Sequence, residues 1–201
     1  MRNQRGIITV DFMFSLVLIM GFTALLFVLT FTLSIASVTQ YVTFATARNY
    51  AVAHVTIQEQ TNRANQKYNE MTQSKVLRPL YSNGWYSVDQ TPGIGDHTTI
   101  IPGFQGATEG VNKFWGAGTH FTAKVLAFTI PFFGSTAPDD ETGEGFTTYI
   151  GSYLGREPSS EECLEFTNGR WNAVRNLPSS GGASYSTANG GGYYPMADNG
   201  C

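Results

Sequence analysis

The chain has 201 residues, 12 basic and 15 acidic side chains, a net charge of -3 and two cysteines. That length has room for a membrane segment and one domain of modest size, but not for two well-buried soluble domains. The charge balance supplies no basic footprint for nucleic acid, and that partner class is set aside. The first quarter is strongly apolar, whereas the rest is rich in Gly, Ser, Thr, Asn and Tyr and sparing in charge, a mixture that suits an exported, loop-rich domain containing β-strands.

In chain order, residues 1–6 carry Arg2 and Arg5 and no acid. Asp11 follows, and no further charged residue occurs before Arg48. A membrane-crossing helix needs about 20 apolar residues, and residues 12–38 exceed that, which predicts a membrane-spanning segment or the core of an assembly. Positive charge on the N-terminal flank predicts the N-terminus in the cytoplasm and the C-terminal bulk outside it. A secretory signal would end its short apolar stretch at small residues, for which Ala36-Ser37-Val38 is a weak candidate, and a continuous helix is the favoured expectation.

Asp11 is the odd residue of this run. An unpaired carboxylate in hydrocarbon costs about 2.5–3.5 kcal/mol, so it belongs near the cytoplasmic interface, protonated, or beside a cation. A cut after Gly6 would free an α-amino group on Ile7, one helical turn from Asp11, and a neighbouring subunit's amino group could then neutralise the carboxylate.

Gly6, the Arg5 before it, the apolar Ile7-Ile8-Thr9-Val10, the acid at the fifth position after the glycine and the following Phe12 resemble the class III signal and N-terminal helix of type IV pilin-like proteins. The resemblance implies cleavage between Gly6 and Ile7 by a membrane prepilin peptidase, and a role for Asp11 and Phe12 in setting register within a filament. The family's usual acid is Glu, where this chain has the shorter Asp. Gln40-Tyr41 and then Ala45-Thr46-Ala47-Arg48-Asn49-Tyr50-Ala51 are similar to the stretch after the apolar helix in TadE-like pseudopilins of tight-adherence (Tad/Flp) pili. Major pilins of that system are much shorter, so the resemblance implies a minor pilin or pseudopilin. The two matches cover residues 1 to about 55.

Past the bilayer, Val38, Tyr41, Val42, Ala45, Val52, Val55, Ile57, Ala64, Tyr68 and Met71 recur at helical spacings, and no Gly or Pro occurs between Phe22 and Arg78. One helix over residues 7–78, stopped by Pro79, is predicted, about 105 Å long. The pairs Glu59 with Arg63 and Lys67 with Glu70 read as solvated surface charges. From Leu80 the residues change to turn formers such as Asn83-Gly84 and Pro92-Gly93. Residues 121–133 and 146–154 have the alternation and aromatic content of an antiparallel strand pair joined through residues 134–145, with Pro131 at an edge or end. Ser159-Ser160-Glu161-Glu162 begins a short helix over residues 162–175. The resulting fold class is α+β: leader 1–6, helix 7–78 and an extracytoplasmic domain over 79–201.

Cys163 and Cys201 lie beyond the apolar run, on the side that would be exported, where a disulfide is more natural than a metal site that two thiols cannot complete. Asp139, Asp140, Glu141 and Glu144 could supply oxygens to Ca²⁺ but lack the alternation of an EF-hand loop, and a solvated acidic turn is the simpler reading. His54, His97 and His120 have no metal-ligand spacing, and no phosphate-binding glycine loop or nucleophile elbow occurs. No enzyme and no cofactor is expected. The expectation is a filament subunit whose partners are other pilin subunits, the prepilin peptidase, an inner-membrane assembly platform and membrane lipid. It would reside in the bacterial inner membrane and, after assembly, in an extracellular pilus. The rival expectation is an uncleaved single-pass anchor whose external domain binds a ligand or partner.

Overall fold

A computed structural model describes residues 5–97, 114–127, 129–130, 134–135 and 145–176. The architecture is α+β, a long apolar helix followed by a small antiparallel sheet and further helices. The helices are α1 (Arg5–Ala51), α2 (Ile57–Thr72), α3 (Arg78–Ser82) and α4 (Ser160–Arg175). The strands are β1 (Tyr86–Val88), β2 (Gly93–Asp96), β3 (Trp115–Ala123), β4 (Thr129–Ile130), β5 (Gly134–Ser135) and β6 (Phe146–Leu154).

The helix predicted to run unbroken over residues 7–78 is interrupted. α1 ends at Ala51 after 47 residues, about 70 Å of rise. The Ala51 carbonyl accepts from the Glu157 amide and the Val52 carbonyl from Gln60 Nε2, so the last carbonyls of α1 find partners outside it. Thr56 then adopts extended backbone and its hydroxyl accepts from the Glu59 amide, capping α2. Apolar residues continue at helical intervals across this break, which is why periodicity alone passes over it. α2 closes at Thr72, and Pro79 begins a helix rather than ending one: it sits in the first turn of α3, where no amide proton is required.

β3 is the organising strand. Its last residues pair antiparallel with β1, Tyr86 opposite Ala123, and its first with β2, Gly93 opposite Gly118. β6 also pairs with β3, and β4 and β5 form a separate antiparallel pair. The strand predicted over residues 146–154 forms with those bounds. Its predicted partner over 121–133 is displaced: β3 starts at Trp115 and stops at Ala123, where a 3-10 turn takes Lys124–Leu126. Gly116-Ala117-Gly118 lie in this strand although glycine is a loop former, and at Gly116 another backbone lies against the chain. A Cβ at Gly116 would overlap the Ser152 carbonyl. Gly116→Ala is therefore expected to cost about 1–3 kcal/mol, checked by thermal unfolding; an unchanged midpoint would contradict this packing.

Two compact units form among the described residues, one drawn from Met1–Tyr41, Ser74–Asp89 and His120–Ile150, the other from Val42–Gln73, Gln90–Thr119 and Gly151–Cys201. The first unit is built on Ile35 of α1 with Tyr86, Phe121 and Ala123, flanked by Leu80, Tyr81, Val88, Val125, Leu126 and Ile150. Tyr86 stacks on Phe121 at 5.9 Å, meets Phe31 edge-on at 5.9 Å, and shares a 2.9 Å hydrogen bond between its hydroxyl and Thr32 Oγ1. A second such bond, 3.0 Å, joins Tyr81 to Thr39. Burial pushes the Tyr81 hydroxyl pKa up, the bond to Thr39 only partly opposing it.

The second unit is held by a polar knot. Gln60, fully buried, donates from Nε2 to the Val52 and Glu157 carbonyls and accepts at Oε1 from Arg156. Arg156 also donates twice to Glu162, at 2.6 and 2.8 Å, and lies 4.5 Å over the Trp115 ring. Glu162 accepts from the Ser159 amide while its own amide donates to Ser159 Oγ, a reciprocal cap on α4. These donors, Arg156 first, hold the Glu162 carboxyl at about 2, against an ordinary 4.5. A carboxyl depressed on folding contributes stability that is complete above its unfolded pKa and is lost as pH falls through its folded one. Wild type is thus expected to exceed Glu162→Gln in stability at neutral pH, with the gap closing between about pH 4.5 and about pH 2. Acid titration of both unfolding midpoints measures it, and a constant gap would contradict the pairing.

Candidate assembly and membrane segment

α1 has two distinct parts. From Val10 to Phe27 nearly every large apolar side chain is exposed whichever way it points, with Phe12 at 64% and Phe14 and Phe27 each at 70%. From Thr32 onward one face closes, with Thr32, Ile35, Thr39 and Val42 buried. Residues 32–38, predicted to lie within the spanning stretch, therefore already include side chains packed on the domain side of the chain. The mostly exposed apolar run is residues 9–31, with Val28 half-buried and Phe31 against Tyr86.

α1 is long and apolar enough to cross a membrane: its most apolar window has a mean hydropathy of 2.6 with nothing buried. An all-round apolar surface of this kind has no favourable arrangement in water and needs lipid or other apolar helices around it. Its hydroxyls fit such surroundings. Thr23 donates to the Ile19 carbonyl, Thr30 to Leu26 and Thr32 to Val28, each at 2.8 Å, so these polar side chains are satisfied inside the helix that carries them.

Asp11 interrupts that surface. It is exposed, and among the described residues no hydrogen bond or ion pair engages its carboxylate. Because α1 begins at Arg5, the backbone carries Gly6, Ile7 and Asp11 on one helix, Ile7 a turn before Asp11, with Phe12 adjacent. The arrangement places one acid near the N-terminal end of an apolar cylinder. Chemically it can attract one cation, and the low-dielectric surroundings of such a helix make that attraction strong.

The other sequence candidates fall elsewhere. Cys163 is disulfide-bonded and 8% exposed in α4, and Cys201 lies outside the described residues, as do Asp139, Asp140, Glu141 and Glu144. His97 is buried, its Nδ1 accepting from the Phe114 amide, and His120 lies 2.8 Å from Asp89 at the surface. Among the described residues no three His, Cys, Asp or Glu side chains are grouped as for a metal ion. The Lys67–Glu70 pair forms at 3.1 Å on the surface of α2. The bonds from Thr32 and Thr39 to Tyr86 and Tyr81 had no sequence signal, since hydroxyls 54 and 42 residues apart have no spacing rule.

Compared with protein-family profiles, with characterised proteins and with solved structures, the chain matches none.

Proposed function

We propose that the chain is a structural subunit of a type IV pilin-like filament, a minor pilin or pseudopilin of the TadE-like, tight-adherence kind. In this reading a prepilin peptidase cuts between Gly6 and Ile7 while α1 is held in the inner membrane, N-terminus in the cytoplasm. An assembly platform then moves the subunit from lipid into a filament in which α1 packs against the same segment of its neighbours.

The observation that carries this reading is the pairing of an exposed apolar run in α1 with one carboxylate near its start, Asp11, that no group among the described residues engages. Lipid solvates the apolar surface but not the charge. A neighbouring subunit that brings the α-amino group of a processed Ile7 beside Asp11 solvates both. Transfer from bilayer to filament then exchanges lipid contacts for helix contacts of similar strength, and the charge pair decides the direction. Open-ended head-to-tail association of this sort generates a helical polymer rather than a closed ring.

Expression beside its cognate prepilin peptidase and assembly machinery is expected to place the chain in the sheared filament fraction, and removal of the peptidase to confine it to the membrane. Retention in the membrane under both conditions would instead favour the single-pass anchor with a ligand-binding external domain.

A further inference from the structure

We propose that the first unit is seated on the bilayer surface through a rim formed by Trp85, Lys124 and Phe146, so that the domain itself sets how deep α1 lies. The proposal rests on the reading of α1 as membrane-embedded.

Three separate stretches of chain meet at this rim. Trp85 immediately precedes β1 and its carbonyl accepts from the Lys124 amide at 2.8 Å. Lys124 follows the last residue of β3. Phe146 opens β6 directly after Gly145, whose backbone lies so close to Lys124 that a Cβ there would stand 2.8 Å from the Lys124 Cα. A 3.0 Å bond between the hydroxyls of Thr122 and Thr147 fixes the same end of the sheet. Trp85 and Phe146 are 59% and 53% exposed although they border a packed core, which is costly in water and natural at a lipid headgroup layer.

The level of this rim along α1 can be placed. Phe31 and Thr32 face Tyr86, which sits opposite Ala123 in the sheet. The next turn, Lys124–Leu126, descends further: Val125 and Leu126 line an apolar groove of about 480 Å³ with Gly21, Ala24, Leu25, Val28 and Leu29 of α1. If Asp11 marks the cytoplasmic boundary, a hydrocarbon layer of about 30 Å ends about 20 residues later, near Phe31. Val125 and Leu126 then reach about a turn or two below the outer boundary, and Trp85 and Lys124, one step back along the strands, lie at headgroup level. Lys124 can extend its ammonium to lipid phosphate while its stem stays among apolar groups.

The occupant to which this rim commits is therefore lipid, in continuity with the exposed run of α1. The test uses the full chain in vesicles of phosphatidylcholine and phosphatidylglycerol, a fraction of the phosphatidylcholine carrying bromine on the acyl chains close to the headgroup. Of the chain's 3 tryptophans, Trp85 is expected to supply most of the quenched emission. Trp85→Phe should thus reduce the quenched component about two-fold or more, with an unchanged far-ultraviolet circular dichroism spectrum and thermal unfolding midpoint as the check on folding. Equal quenching in wild type and Trp85→Phe, or Trp85 emission open to aqueous iodide, would overturn the seating. Shielding of Trp85 from iodide that grows with the protein-to-lipid ratio, without bromine quenching, would assign the rim to a second copy and overturn it equally. Alkaline carbonate extraction separates the two levels: release of the chain into the supernatant ends the membrane reading itself, whereas retention with an unquenched Trp85 ends only the seating.

Discussion

Asp11→Ala is expected to leave cleavage after Gly6 intact and to lower filament yield by about 10- to 100-fold, measured as subunit in the sheared fraction against subunit in the membrane. The magnitude follows from the cost of the charge. A carboxylate left in hydrocarbon costs about 2.5–3.5 kcal/mol, and in the proposed filament pairing would relieve that cost, which would give each subunit a preference for the filament of comparable size. Since about 1.4 kcal/mol is tenfold in an equilibrium, losing most of that preference gives the stated range. Alanine abolishes the preference while making the membrane form more comfortable, which distinguishes this effect from simple misfolding. Asp11→Glu keeps the charge and is expected to retain assembly. Equal yields from Asp11→Ala and wild type would remove Asp11 from the mechanism.

Tyr86→Ala is expected to be the most destabilising single change in the first unit, by about 3–5 kcal/mol. Tyr86 is 1% exposed, stacks on Phe121, meets Phe31 and hydrogen-bonds Thr32, so it is the side chain that joins the sheet to α1. Tyr86→Phe isolates the polar part. Thr32 Oγ1 can still donate to the Val28 carbonyl, so no buried hydroxyl is left without a partner and a loss of about 1 kcal/mol is expected. Equilibrium unfolding in detergent, followed by near-ultraviolet circular dichroism, reads both. A loss below about 1 kcal/mol for Tyr86→Ala would show that α1 is not held to the sheet by this contact.

What could be read from sequence followed how local the cause was. The apolar part of α1 was legible because absence of charge over that many residues admits few alternatives. α4 was legible from Ser159 and Glu162, whose three-residue spacing is that of a reciprocal cap, and β6 from its run of Phe, Thr, Tyr and Ile. The break after Ala51 was misjudged, although Thr56 and Glu59 stand at that same capping distance, because Val52, Val55 and Ile57 sustain the apolar rhythm through the turn. The start of β3 was missed because glycine signals a loop unless one knows that Ser152 lies against it, and that is a contact across 36 residues.

The candidate segment shows the same division. Gly6, Ile7, Asp11 and Phe12 are contiguous, and their pattern stands in the sequence without any fold. The point at which α1 leaves its exposed part is set by Thr32 and Ile35 meeting Tyr86 and Phe121, residues that come together only through the sheet. The length of the exposed run is a tertiary property: one face of α1 closes from Thr32, before Val38.

The most direct measurement of the central claim is the intact mass of the mature chain, isolated from membranes of cells that carry a prepilin peptidase. A processed subunit is predicted to lack residues 1–6 and to begin at Ile7, and substitution of Gly6 by a bulky residue should restore the full-length mass. A chain that retains Met1 or Arg2 with the peptidase present would contradict the account and leave α1 as an uncleaved anchor.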